Sequence, residues 1–129
     1  EMTSSLVGSE MCIRDSRNIG IKAPVRSSGD TKGTPGVTLR GPNGTLTVPE
    51  GVMIADRHIH MTPAQAAAFG LADGDRVQVK IDGPKPGVMG GVLIRANDKC
   101  ALDFHIDTDD GNAFLLKQGQ LVTVLGKEE

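Results

Sequence analysis

The chain has 129 residues, a formal net charge of −2, three phenylalanines and neither tryptophan nor tyrosine. That length accommodates one domain, or one and part of another, around an aliphatic core, and scattered basic residues without aromatic stacking platforms argue against a nucleic-acid partner. No apolar run reaches the length of a membrane span, and Cys12 and Cys100 fit no disulfide framework, so a reducing, cytoplasmic setting is expected.

Residues 1–9 show no periodicity and are set aside as a disordered or non-native leader, and residues 7–15 look like a translated sequencing adapter. Between Glu10 and Ile21 a short helical turn fits, closed by Gly20. Pro24 makes residues 22–30 extended. Ser27, Ser28, Gly29 and Asp30 then form a turn whose N–H groups can cradle an anion, although a plain surface turn is the commoner meaning of such a sequence. Residues 36–41 and 45–48 alternate with a period of two across Pro42, Asn43 and Gly44, and Asn-Gly is the strongest short hairpin signal.

Residues 51–61 read as a strand whose first part, Val52 to Ala55, is apolar on both faces and buried. Within it His58 and His60 stand two apart, so a strand presents both imidazoles to one face, a two-ligand metal clamp. A solvent-facing pair without function is about as common for an isolated His-x-His. The remaining histidine, His105, sits like them in a short apolar strand just before a helix start, and three imidazoles suit zinc or a similar borderline ion.

Thr62 as N-cap, Pro63 at the first helical position and Gln65 three residues after the cap predict a helix closed by Gly70. Its N-terminal dipole end favours an anionic substrate near the imidazoles. Residues 76–81 alternate cleanly with Val77, Val79 and Ile81 inward, and strands are expected at 88–89 and 91–95, at 100–105 and at 120–125. A short helix over 107–116 has Asp107 or Thr108 as its cap. Short strands, tight turns and a few small helices predict a mainly β chain closed into a β-barrel. The passage from the helix through Leu71, Asp73, Gly74 and Asp75 into the alternating strand follows the pattern of double-psi barrels.

Four stretches together resemble one family: Arg57-His58-Ile59-His60-Met61-Thr62-Pro63, residues 23–30, residues 33–42 and His105-Ile106-Asp107-Thr108-Asp109. They look like the PduL-type phosphotransacylases, the phosphate propanoyltransferases associated with bacterial microcompartments. The resemblance runs from about residue 20 to residue 125, extends faintly back to Glu10, and covers the C-terminal portion of the family's chain. It implies a partial barrel over residues 10–55 and a nearly complete one over 56–129 that carries the His-x-His site. It further implies two zinc ions and transfer of a propanoyl or acetyl group between coenzyme A and inorganic phosphate.

Carried over by position, His58, His60 and His105 match the ligands of one metal, Glu10 a carboxylate ligand of the other, Ser28 and Arg95 phosphate-binding residues, and His105 and Asn112 contacts to CoA. Asp103, Asp107 or Asp109 can orient His105, the latter two doubling as helix-capping acids. The family's N-terminal His-x-His, the phosphate-binding arginine upstream of Glu10, the basic CoA contacts and an encapsulation peptide have no counterpart here, so the chain reads as a fragment. Homo-oligomerisation and a microcompartment shell are the partners such a parent enzyme implies. Two rival readings stand beside it: a non-catalytic double-psi-like binding module and an inactive truncated remnant.

Overall fold

The computed structural model describes the backbone of residues 9–10 and 13–129, and side chains from residue 16 onward. The described residues fall into two compact units, one ending at Asp56 and the other beginning at Arg57.

In the first unit, β1 (Ser9–Glu10) and β2 (Val25–Arg26) flank β5 (Val52–Ala55) in a parallel sheet of order β1-β5-β2. The central position explains why β5 is apolar on both faces: Val52 and Met53 are fully buried. Helix α1 (Ile13–Asn18) ends where Gly20, at φ +76°, lets the N–H groups of Gly20 and Ile21 turn back onto the Arg17 and Ser16 carbonyls. The hairpin β3 (Val37–Gly41) and β4 (Gly44–Val48) pairs Gly41 with Gly44 around Pro42 and Asn43 and forms a separate two-stranded sheet. At its base Gly36 lies so close to the Val48 and Pro49 carbonyls that any Cβ there would collide with them. Buried Thr34 holds the approach to β5, accepting a 2.8 Å hydrogen bond from the Gly51 N–H and donating to the Thr31 carbonyl.

The second unit is a five-stranded mixed sheet of order β10-β7-β8-β6-β9, built from β6 (His58–Met61), β7 (Arg76–Ile81), β8 (Gly87–Ala96), β9 (Asp103–His105) and β10 (Thr123–Lys127). Strands β6 and β8 run parallel and the other neighbours antiparallel. Val77, Val79 and Ile81 are fully buried, as their alternation predicts, and they form the core with Ile59, Met61, Met89, Val92 and Ile94. Helix α2 (Pro63–Ala68) carries the expected reciprocal capping box between Thr62 and Gln65 and buries Ala66 in that core. Helix α3 (Thr108–Ala113) is capped by Asp107, whose carboxylate accepts from the Asp110 N–H at 2.8 Å. It stops where Leu115 adopts φ +52° and the Leu116 N–H reaches back to the Gly111 carbonyl.

The expectation of a mainly β chain with short helices is met, while none of the three described sheets closes on itself. The single strand expected over 51–61 is two, because β5 pairs with β1 and β2 whereas β6 pairs with β8 and β9. Strand β8 runs unbroken through Gly91, whose φ of +64° lets the strand bend while its N–H donates to Glu128. Strand β9 starts later than expected because residues 97–100 form a turn, and β10 because Gln120 is engaged in another, its side chain donating to the Asp82 carbonyl at 2.7 Å. Among the described residues no helix is long and apolar enough to cross a membrane.

Candidate metal centre

Strand parity and register assemble the site. Ile59 and Met61 point into the core, so the alternate positions His58 and His60 must share the opposite face. His58 pairs with Leu93 of β8 on one side and His105 of β9 on the other, and His60 pairs with Arg95 and Asp103. Residues in register lie on the same face. Two rows therefore stand side by side, Leu93-His58-His105 and Arg95-His60-Asp103, and one face of three strands carries three imidazoles, a guanidinium and a carboxylate.

The side chains converge. A potential ligand atom from each of His58, His60 and His105 lies within 4.8 Å of the others. His58 Nε2 and His60 Nε2 are 3.1 Å apart, and the three rings meet edge to face with centroids 4.7 to 5.0 Å apart. His58 is buried and the other two half-buried. Two of the rings have a further polar neighbour: Asp103 Oδ2 lies 3.1 Å from His105 Nε2, and Cys100 Sγ lies 3.2 Å from His60 Nδ1. Burial, followed by the neighbouring charges of His58, His105 and Arg95, lowers the His60 pKa from 6.5 to about 4 against an opposing pull from Asp103. At neutral pH His60 is thus a neutral imidazole, the form that offers a lone pair to a cation. Three imidazole nitrogens on one face fit a borderline ion such as zinc, which takes three protein ligands and keeps a fourth position for a reactant.

The other expected site residues are distributed unevenly. Arg95 is half-buried and in register with His60. Asn112 is exposed on α3. Ser28 belongs to the first unit, in the turn that Asp30 closes by donating its N–H to the Ser27 carbonyl at 2.9 Å. Glu10 is in β1, and its side chain lies outside the described residues. Two features escape sequence reasoning. Arg57 bonds Asp110 of α3 at 3.1 Å and so ties the start of β6 to that helix. Cys100 reaches His60 across 40 residues of chain. For Cys100 the available signal is general, in that a metal-ligating histidine needs a partner for its second nitrogen; the Arg57–Asp110 pair has no local signal.

Comparison with known proteins converges on one description. Residues 6–117 match the family model of phosphate propanoyltransferase. The chain is 44% identical over 117 residues to the phosphate propanoyltransferase of Thermotoga maritima, an alignment covering 90% of this chain and 56% of that protein. It is 42% identical over 116 residues to the protein of that name from Lachnoclostridium phytofermentans, with 90% and 54% of the two chains covered. For the Rhodopseudomonas palustris protein of that name the identity is 43% over 118 residues, with 92% and 52% covered. The chain thus spans about half the length of the curated relatives it matches.

Proposed function

The chain belongs to the phosphate propanoyltransferase family, and from that premise we propose that it supplies one metal-binding part of an enzyme that converts acyl-CoA and phosphate into acyl phosphate and CoA. The observation that carries this reading is the convergence of His58, His60 and His105 within 4.8 Å. In the reaction a phosphate oxygen attacks the thioester carbonyl carbon, the C–O bond forms, the C–S bond breaks and CoA leaves as its thiolate. His58, His60 and His105 would hold a zinc ion, which would supply Lewis acidity toward the carbonyl oxygen and affinity for the departing sulfur.

The chain's own residues bind and orient. Arg95, in the same row as His60, holds phosphate by charge-assisted hydrogen bonds. Ser28 adds a hydroxyl to phosphate, and Asn112 and His105 contact CoA; family resemblance supports these roles. Asp103 fixes the ring of His105. Holding phosphate and thioester together converts a bimolecular encounter into a positioned one, and no side chain needs to be acylated. Glu10 as ligand to a second zinc, barrels over residues 10–55 and 56–129, a propanoyl or acetyl substrate, homo-oligomerisation and a cytoplasmic or microcompartment location belong to the same reading.

The test is a chimera in which this chain replaces the matched segment of the Thermotoga maritima relative, assayed for zinc content and for acyl phosphate formed from propanoyl-CoA. The chimera is expected to be active. His58→Ala and His105→Ala should lower activity more than about 100-fold with loss of zinc, since removing a ligand exceeds the 10–100-fold effect of an outer partner. Variants that keep both activity and zinc would falsify the proposal, and a zinc-free active-site segment would favour the non-catalytic binding module.

A further inference from the structure

We propose that Cys100 is a positioning residue for His60: its sulfur accepts a hydrogen bond from His60 Nδ1–H and thereby presents Nε2 as the metal-binding atom. The inference rests on the metal reading of the three imidazoles and adds a determinant of how one of them is aimed.

The geometry is built from the backbone outward. At the end of β8 the Asn97 N–H donates to the Met61 carbonyl at 2.9 Å, which fastens the following turn to the residue next to His60. Within that turn the Cys100 N–H donates to the Asn97 carbonyl at 3.0 Å, and the Lys99 N–H donates to Asn97 Oδ1 at 2.9 Å. The thiol is thereby set 3.2 Å from His60 Nδ1, while His60 Nε2, the other ring nitrogen, lies 3.1 Å from His58 Nε2. Among the described residues the group whose ligand atoms lie mutually within 4.8 Å consists of the three histidines without Cys100, so the sulfur stands behind the ring.

A neutral imidazole carries one N–H, and a group that accepts it at Nδ1 leaves the lone pair on Nε2. Sulfur is a weak acceptor, but it need only bias a choice between two tautomers. Asp103 stands in the same relation to His105, 3.1 Å from Nε2, so the two half-buried imidazoles each have an outer partner.

The experiment titrates Co²⁺ into the metal-free 129-residue chain carrying Cys12→Ser, so that Cys100 is its single thiol. Visible d–d bands of a nitrogen-ligated ion are expected, without a sulfur-to-cobalt charge-transfer band in the near ultraviolet. Cys100→Ser keeps an acceptor and should bind within about threefold of the parent, whereas Cys100→Val keeps the volume, removes the acceptor and should bind roughly tenfold or more weakly. A packing role predicts the reverse order and would overturn the proposal, as would a valine variant equal to the parent, which leaves the metal site standing. A sulfur-to-cobalt band in the parent would make Cys100 a ligand and also overturn it. A parent that takes up no cobalt overturns both the proposal and the metal reading. If melting curves show that the valine variant is unfolded, two-bond ¹H–¹⁵N spectra of the metal-free parent decide: the Nδ1–H form of His60 is expected, and the Nε2–H form refutes the role of Cys100.

Discussion

His60 stays neutral down to about pH 4 in the folded chain, whereas an unfolded histidine takes up its proton near 6.5. The unfolded state therefore binds more protons between these values. Because the folded pKa is depressed, the contribution to stability is complete above pH 6.5 and is lost as pH falls toward 4. Urea unfolding of the metal-free chain should show midpoints that decline through this window, and a His60→Gln variant should show a flatter decline. Identical pH profiles for the two proteins would contradict the burial and crowding by His58, His105 and Arg95 that set this shift. The same residues mark how far the site is legible in the sequence. The spacing of His58 and His60 places both rings on one face by strand parity alone, and His105 joins them through a register that no local pattern encodes. Cys100 was readable only as a thiol in a reducing setting, because its role depends on a turn fastened to β6 by backbone hydrogen bonds.

Helix α2 is only six residues long, and its cap matters accordingly. Thr62 both closes β6 and accepts from the Gln65 N–H at 3.2 Å, so Thr62→Ala should cost about 1 kcal/mol in chemical denaturation. A change below about 0.3 kcal/mol would mean that packing of Ala66, rather than the cap, holds the helix. Elements governed by local chemistry were legible: this capping box, the hairpin turn at Pro42 and Asn43, the alternation of β7 and the Asp107 cap. Boundaries governed by distant partners were not. The start of β10 depends on Gln120 reaching Asp82, 38 residues earlier, and the break between β5 and β6 depends on which strands each half joins. Sheet closure is a global property that alternating strands suggest without specifying, and the described sheets are open.

On the scale of the whole chain, the described residues leave apolar surface uncovered. The hairpin pairs Leu39 with Leu46 directly, with Val37 and Val48 on the same face, and the two leucines are 50% and 61% exposed. Such a face promotes association. The apparent molar mass of the 129-residue chain from light scattering should therefore rise with concentration, and Leu39→Glu combined with Leu46→Lys, an opposite-charge pair across the strands, should suppress that rise. Equal concentration dependence of apparent mass in parent and variant would assign self-association to another surface. The two rows that bring the three histidines together carry a different consequence. A slip of one residue in β9 or β6 would rotate Phe104 or Ile59 into the place of an imidazole and dismantle the donor set at a stroke. An ion bound there, as proposed above, would therefore proofread the assembly of β6, β8 and β9, rewarding the one alignment in which all three nitrogens meet. Adding zinc should slow amide hydrogen exchange in those three strands in concert, as if a single latch had been closed on them.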